Sequence, residues 1–354
     1  MSMQVDLFME FAAPAFAGKS VGQVFDDGLA LASAADRGGF GGIWLAEHHF
    51  LKEYSLSSAP EILLAAIARE TKKLELGFGI IPLPIHDVVR VAEKLATLDF
   101  LSGGRVRWGV GRGVTQTELN GFGVDPGATR DIFKDRLHQL RSILKVGSYT
   151  KNGQEFELQP RPAVDLCHGW MAAVSPESFN LAAELDMDVM AGPFKPWPLV
   201  KADLSGYRRL QPDGRTSFTL AVYCEEDHKS ARDRAKKGLV WAYKKILEIT
   251  RPLMKGQVES YEHYSHLGWV TPLFEKVLSL SVLEAMGLAV VGDPDHVRKK
   301  LRELHDSGLD RVSLIIGGGD LELAEATRAV QLLAHEVIPN IARPAHTNFE
   351  AAVA

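Results

Sequence analysis

Cysteine is almost missing from this chain. Only Cys167 and Cys224 occur among 354 residues, too few for a disulfide framework and not spaced as metal ligands, so a reducing cytoplasm is the expected setting. There is no HExxH, no CxxC pair and no cluster of carboxylates, so no metal site is expected. A Ser-His-Asp reading finds no support either. No apolar run approaches the roughly 20 residues that span a bilayer. The opening Met1-Ser2-Met3-Gln4-Val5-Asp6 lacks a basic stretch and a long apolar core, so neither export nor membrane insertion is expected. Positive charge is not in excess: the formal net charge is −5. No cluster of Lys and Arg interleaves with aromatics, which argues against a nucleic-acid partner.

What is present is a balance of 46% hydrophobic and 24% charged residues, suited to a full-sized core with an ordinary wetted surface. Short β-rich apolar runs alternate with longer amphipathic segments, as in parallel βαβ units. Strands are predicted at Val5–Met9, Gly42–Ala46, Leu74–Ile81, Arg105–Gly111, Gly169–Val174, Val189–Gly192, Phe218–Cys224 and Val312–Ile316. Helices are predicted near 20–38, 58–71, 86–101, 130–145, 176–185, 196–210, 227–248 and 294–307, with a last one near 320–336. Eight strands of this regularity predict an α/β fold, a (β/α)8 TIM barrel forming one domain over 1–354. An open doubly wound sheet would want a glycine-rich phosphate fingerprint after its first strand. Glu10-Phe11-Ala12-Ala13-Pro14 supplies none.

Two stretches interrupt the rhythm. Residues 147–165 read as an inserted β-hairpin turning at Asn152-Gly153, with alternating Phe156 and Leu158. Residues 249–290 carry Tyr261, His263, Tyr264, His266, Trp269 and Phe274 and match no simple βα unit. Long barrel-loop insertions usually serve as lids or pocket walls.

Candidate chemistry gathers at strand ends, where barrel enzymes keep it. The second strand runs into Glu47-His48-His49-Phe50. Imidazoles there could trade protons at neutral pH, or could merely cap the strand. The fourth strand ends Gly111-Arg112-Gly113, a cation between two residues that would let a flat ring approach, or a plain tight turn. After the fifth strand, Ser175-Pro176-Glu177-Ser178 places Ser at the N-cap and Pro at the first position of a helix. Its unpaired N–H groups and helix dipole suit a phosphate. Ser178 stands where a capping box would have Glu or Gln, which leaves the helix N–H groups without that partner. Gly317-Gly318-Gly319-Asp320 is a rival cradle after the last strand. Asp320 would repel a phosphate, so the triple Gly reads better as a turn lining the pocket.

Taken in order and spacing, four blocks resemble the bacterial luciferase α subunit and the luciferase-like flavin-dependent monooxygenases. They are Trp44–Phe50, Leu98–Arg105, the strand and turn through Gly113, and Val174–Ser178. The resemblance implies that FMN, supplied in reduced form by a separate reductase, binds with its phosphate on Arg112, Arg130, Ser175 and Ser178, helped by backbone N–H groups around Val174 and Ser175. It implies that His48 is the catalytic imidazole, assisting proton transfer around a C4a-peroxyflavin. It implies a non-proline cis peptide at Gly79–Ile80 bracing the ring, where a glycine bulge is the alternative. Luciferase α subunits have a reactive cysteine where this chain has Gly111, which argues against light emission and implies extra room above the ring. The block Leu98–Arg105 reads as structural, with Asp99 and Arg105 tying the third helix to the fourth strand. The small residues Ala65, Ala66 and Ala68 on the second helix would let another helix approach closely; the resemblance implies a homodimer interface there, where packing within the barrel is the alternative.

The expected function is oxygenation by FMN and O2 of a small apolar substrate such as an aldehyde or ketone. Two alternatives stand beside it: hydride transfer with the deazaflavin F420, and a non-catalytic flavin-binding subunit.

Overall fold

The computed structural model describes residues 3–113, 115–254 and 277–341. Its strands in chain order are β1 (Gln4–Met9), β2 (Gly42–Leu45), β3 (Glu75–Pro82), β4 (Val106–Gly111), β5 (Ser148–Lys151), β6 (Gln154–Glu157), β7 (Trp170–Ala173), β8 (Asp188–Ala191), β9 (Thr216–Cys224), β10 (Ala289–Gly292) and β11 (Arg311–Ile316). Parallel pairing runs β1-β2-β3-β4-β7-β8-β9-β11 and returns to β1, closing an eight-stranded (β/α)8 barrel. These are the eight strands predicted from sequence, with ends shifted by a residue or two. β5 and β6 form the predicted hairpin apart from the barrel.

β10 is a strand the sequence reading did not separate from the 249–290 stretch. It exists because β9 is longer than its neighbour. β8 pairs with β9 only through Phe218, and β10 takes the edge from Ala221 to Cys224. Left bare, that edge would expose unpaired backbone groups. The aromatic and His residues from Tyr261 to Phe274, expected to wall the pocket, lie outside the described residues.

The helices are α1 (Val21–Gly38), α2 (Pro60–Glu70), α3 (Val88–Ser102), α4 (Gln116–Gly121), α5 (Thr129–Val146), α6 (Pro176–Glu184), α7 (Trp197–Leu210), α8 (His228–Met254), α9 (Leu280–Ala285), α10 (Pro294–Asp306) and α11 (Leu323–Leu332). Local chemistry sets their ends. Ser20 and Gln23 make a reciprocal capping box on α1, which stops at Gly39 in the left-handed region. The longer helices turn apolar faces to the barrel: α3 buries Val91, Leu95 and Leu98 at three- and four-residue spacing. No helix among the described residues is long and apolar enough to cross a membrane.

Inside the barrel, Trp44, Trp170 and Met190 pack with Phe8 and Ile80 into a separate apolar layer. Below it, Asp6 Oδ2 accepts from Arg311 Nε and Trp44 Nε1, both at 2.9 Å. Burial pushes the Asp6 carboxyl up, against the pull of the Arg311 guanidinium. This floor closes the barrel's N-terminal end and leaves its C-terminal end for a site.

Two expectations need correcting. Arg105 does tie α3 to the start of β4, its Nε donating to the Ser102 carbonyl at 2.7 Å, but Asp99 takes no part in that tie. Asp99 Oδ2 accepts the backbone N–H groups of Ala163 and Val164, holding the return from the hairpin. Arg105 also donates to the carbonyls of Ala68, Thr71 and Leu74, tying the end of α2 to β3 as well. Of the three alanines offered as a dimer surface, Ala68 is core and Ala66 is exposed, beside a largely exposed Ile62.

Candidate active site

β2 ends at Leu45, and the chain turns into the cleft at the barrel's C-terminal mouth, where Ser57 anchors it. Its hydroxyl donates to the Ala46 carbonyl at 2.6 Å and its carbonyl accepts the His48 N–H at 3.0 Å. This brings Glu47, His48 and His49 in with alternate directions. His49 and His86 both reach Glu47 Oε1, at 2.9 and 2.5 Å through Nε2. Burial would raise the Glu47 carboxyl, but these two imidazoles hold it below its usual value. Glu47 therefore organises one pair of histidines, and His48 faces the other way.

His48 sits between two carboxylates. Its Nδ1 is 3.1 Å from Glu118 Oε1, and its Nε2 is 3.5 Å from Glu10 Oε2. Burial would lower the His48 pKa, yet Glu10 and Glu118 together raise it to about 9. Burial also pushes the Glu10 carboxyl up, with His48 opposing. The imidazole is therefore held in its charged form, hydrogen-bonded to Glu118 and ion-paired with Glu10. Tyr54 closes the group: its hydroxyl donates to Glu10 Oε1 at 3.3 Å and its ring meets His48 edge-on.

Sequence reasoning missed Glu10, Tyr54 and Glu118. Glu118 did leave a signal, because Thr115-Gln116-Thr117-Glu118 has the spacing of a helix start. Thr115 does cap α4 by accepting the Glu118 N–H at 3.3 Å. The Glu118 carboxylate keeps the Thr115 hydroxyl on Oε2 and uses Oε1 to bind His48 and the His49 N–H.

At the other end of the cleft, Ser175 caps α6. Contrary to the sequence reading, a capping box is present, with a hydroxyl in place of the usual carboxylate or amide. Ser175 Oγ accepts the Ser178 N–H, and Ser178 Oγ accepts the N–H groups of Val174 and Ser175 at 2.9 and 3.0 Å. Two backbone donors thus converge on one hydroxyl oxygen at a helix N-terminus, where a phosphate oxygen would be equally well served. Behind them the buried Lys195 donates to the Val174 carbonyl at 2.6 Å and pairs with Asp203. It had no sequence signal, because α7 supplies its partner.

One cleft of about 1360 Å³, part of it open to solvent, is lined by His48, Gly79, Ile80, Gly111, Arg112, Val174, Ser175 and Ser178. Its size suits a cofactor and a small molecule together. Arg130 is placed elsewhere, exposed at the start of α5 and not on the cleft wall. The Gly79–Ile80 peptide is cis, and the β3–β4 register slips between Phe78 and Ile81. The room expected at Gly111 is taken: a Cβ there would stand 2.9 Å from Ile80 Cδ1.

The triple glycine serves packing. A Cβ on Gly318 would stand 2.1 Å from the carbonyl carbon of Gly238, so only glycine lets α8 pass. Arg234 pairs with Asp320 at 3.0 Å and so neutralises the carboxylate beside this turn.

The sequence profile of the family described as luciferase-like monooxygenase matches residues 3–311. The chain belongs to that family. Limonene 1,2-monooxygenase of Rhodococcus erythropolis is 26% identical over 326 residues, covering 88% of this chain and 80% of the relative. An uncharacterised Sinorhizobium fredii protein is 35% identical over 172 residues, 47% of this chain and half of that protein's length. Two solved structures share the fold. One is the oxygenating constituent of 3,6-diketocamphane monooxygenase of Pseudomonas putida in complex with FMN (TM-score 0.76, 18% identity, 97% of this chain and 100% of that one). The other is an F420-dependent secondary alcohol dehydrogenase (TM-score 0.70, 16% identity, 96% and 99%). This luciferase-like chain is therefore an oxidoreductase built on the family's barrel.

Proposed function

We propose that the chain is the oxygenase half of a two-component system that uses reduced FMN and O2 to oxygenate a small apolar substrate such as an aldehyde or ketone. The observation that carries this reading is one cleft with a helix N-terminus at one end and, at the other, an imidazole held between two carboxylates. The donor set fits FMN. Ser175, Ser178, the Val174 and Ser175 N–H groups and Arg112 would hold the phosphate, while Gly79, Ile80 and Gly111 would line the ring. Arg130 would join them only by reaching in from the start of α5. Bound reduced flavin supplies activation of O2 and transfer of one oxygen atom. His48 holds a proton at the cleft wall, Glu118 fixes its ring through Nδ1, and Tyr54 and Ile80 exclude water beside it.

The reductase is a separate protein in this reading, as the name "oxygenating constituent" suggests for the Pseudomonas protein. The chain acts in the cytoplasm as a single-domain protomer of a homodimer, with Ile62 and Ala66 of α2 on its contact face. Sedimentation showing monomer alone at micromolar concentration would remove the dimer.

The likeness to an F420 enzyme keeps hydride transfer as the second reading. One experiment separates them: thermal unfolding with FMN, riboflavin or F420, since a ligand that binds only the folded state raises Tm. FMN should raise it most. Oxygenation is then tested by supplying FMN, NADH and a flavin reductase under labelled O2 with a medium-chain ketone. Label entering the product supports the proposal. Stabilisation by F420 alone, or FMN binding with no labelled product from any aldehyde or ketone tried, counts for the alternatives.

A further inference from the structure

A second cavity opens off the first. It encloses about 1080 Å³ of space, its mouth included, between β1, β11, α1 and α8. The two share Phe8, Glu10, Tyr54, Pro193, Ile246 and Ile315, so Glu10 and Tyr54 stand at the junction. Beyond it the walls are apolar, among them Phe11, Leu31, Leu239 and Trp241.

Among the described residues, the charged and hydroxyl-bearing side chains of this second cavity are engaged at every buried atom but one. Lys19 pairs with Asp27 at 2.6 Å and also donates to the Leu321 carbonyl. Tyr243 donates to the Leu288 carbonyl at 2.6 Å. Glu10 Oε1 takes the Tyr54 hydroxyl. Glu10 Oε2 is buried and has no hydrogen bond among the described residues, the His48 nitrogen lying at 3.5 Å. A buried acceptor without a donor costs free energy that a bound donor would recover.

We propose that the second cavity holds the body of the substrate and Glu10 Oε2 its polar end, so that the site takes an elongated apolar molecule carrying a hydroxyl. The donor must be neutral. An ammonium would meet the proton held on His48, whereas a hydroxyl donates to Oε2 without adding charge. The flavin reading enters only through the word substrate; the binding claim is independent of it.

The test uses 1-heptanol and 2-heptanone, matched in length, titrated calorimetrically into the flavin-free protein. The alcohol should bind at least about tenfold more tightly, the ratio expected when one partner satisfies a buried acceptor and the other cannot. In Glu10→Gln the amide oxygen can keep the Tyr54 hydroxyl and present its NH2 at the former Oε2 position. The preference for the alcohol should then be lost, since both probes can accept from that NH2. Ala242→Phe, on the α8 wall of the second cavity, should weaken both probes about tenfold. Equal binding of the two probes by the native protein, or no binding of either, overturns the proposal without any variant. So does an alcohol preference that survives Glu10→Gln, or alcohol binding untouched by Ala242→Phe. A parallel FMN titration keeps the readings apart: alcohol binding without FMN binding would sink the flavin assignment and leave this one standing.

Discussion

Glu118 Oε1 stands 3.1 Å from His48 Nδ1 and also accepts the His49 N–H at 2.7 Å, so one carboxylate fixes both the ring and the turn that carries it. With Glu10 it lifts the His48 pKa from 6.5 to about 9, against burial. A group whose pKa is raised on folding binds its proton more tightly in the folded state. Its stabilisation is complete below pH 6.5 and disappears as pH climbs through 9. The stability gap between the native protein and His48→Gln should therefore be about 1–3 kcal/mol near pH 6 and close to its minimum above pH 9.5. Urea unfolding across that range measures it. A gap that widens with pH would refute the ion-paired imidazole.

Removing Glu118 takes one acceptor from the same ring and leaves Glu10. In Glu118→Gln the His48 titration should move down from its native midpoint toward 6.5, by at least about one unit. NMR of the imidazole reads this directly. Any pH limb of turnover that belongs to His48 should move with it. A midpoint that stays near 9 would mean that Glu10 alone sets it.

The double hydroxyl arrangement at α6 makes a claim about phosphate rather than about flavin in general. Ser175→Ala with Ser178→Ala should raise the FMN Kd about 10- to 50-fold, from two hydrogen bonds worth about 1 kcal/mol net each. Riboflavin, which lacks the phosphate, should lose little. The same pair of changes should cost about 1 kcal/mol of stability through the lost cap. Equal losses for FMN and riboflavin would place the phosphate elsewhere.

Much of this was legible because it is local. Gly42–Leu45 and Ser175-Pro176 announce a strand and a helix start through patterns a few residues long, and the barrel follows from repeating them. Glu118 and Lys195 were hidden for the opposite reason. Their partners, His48 and the Val174 carbonyl, are 70 and 21 residues away, and only closure of the barrel brings them near. Glu10 lies one residue past β1, in a stretch judged only for the phosphate fingerprint it lacks. Arg105 ties α3 to β4 through the nearby Ser102 carbonyl as expected, whereas Asp99 is consumed by the backbone of Ala163 and Val164, more than sixty residues away. β10 escaped because its cause is the length of β9, not its own pattern.

Two glycines of β4 should respond differently to the same change. A Cβ on Gly109 would stand 2.8 Å from the Phe78 carbonyl oxygen, which is backbone within the barrel wall. A Cβ on Gly111 would press on Ile80 Cδ1, the tip of a flexible side chain. Gly109→Ala should cost about 1–3 kcal/mol and lower Tm by several degrees. Gly111→Ala should cost less than about 1 kcal/mol and act on flavin binding instead, by turning Ile80 within the cleft. The reverse order of Tm values would show that β4 can move away from β3.

The floor of the barrel supplies the sharpest test of what closes it. Asp6 and Arg311 are almost fully buried, join the first strand to the last, and share Asp6 Oδ2 with the Trp44 indole N–H. Glu75 is the second partner of Arg311. Asp6→Ala strips one anion from a buried guanidinium and should cost about 3–5 kcal/mol. In Asp6→Leu with Arg311→Met the uncompensated charge is gone, so much of that loss should return. It should not all return, because Trp44 Nε1 still lacks an acceptor, a residual penalty of about 1–3 kcal/mol. Guanidinium unfolding of the three proteins measures both steps. A double variant as unstable as Asp6→Ala would mean that the ion pair itself, and not the avoidance of an unpaired charge, holds β1 to β11.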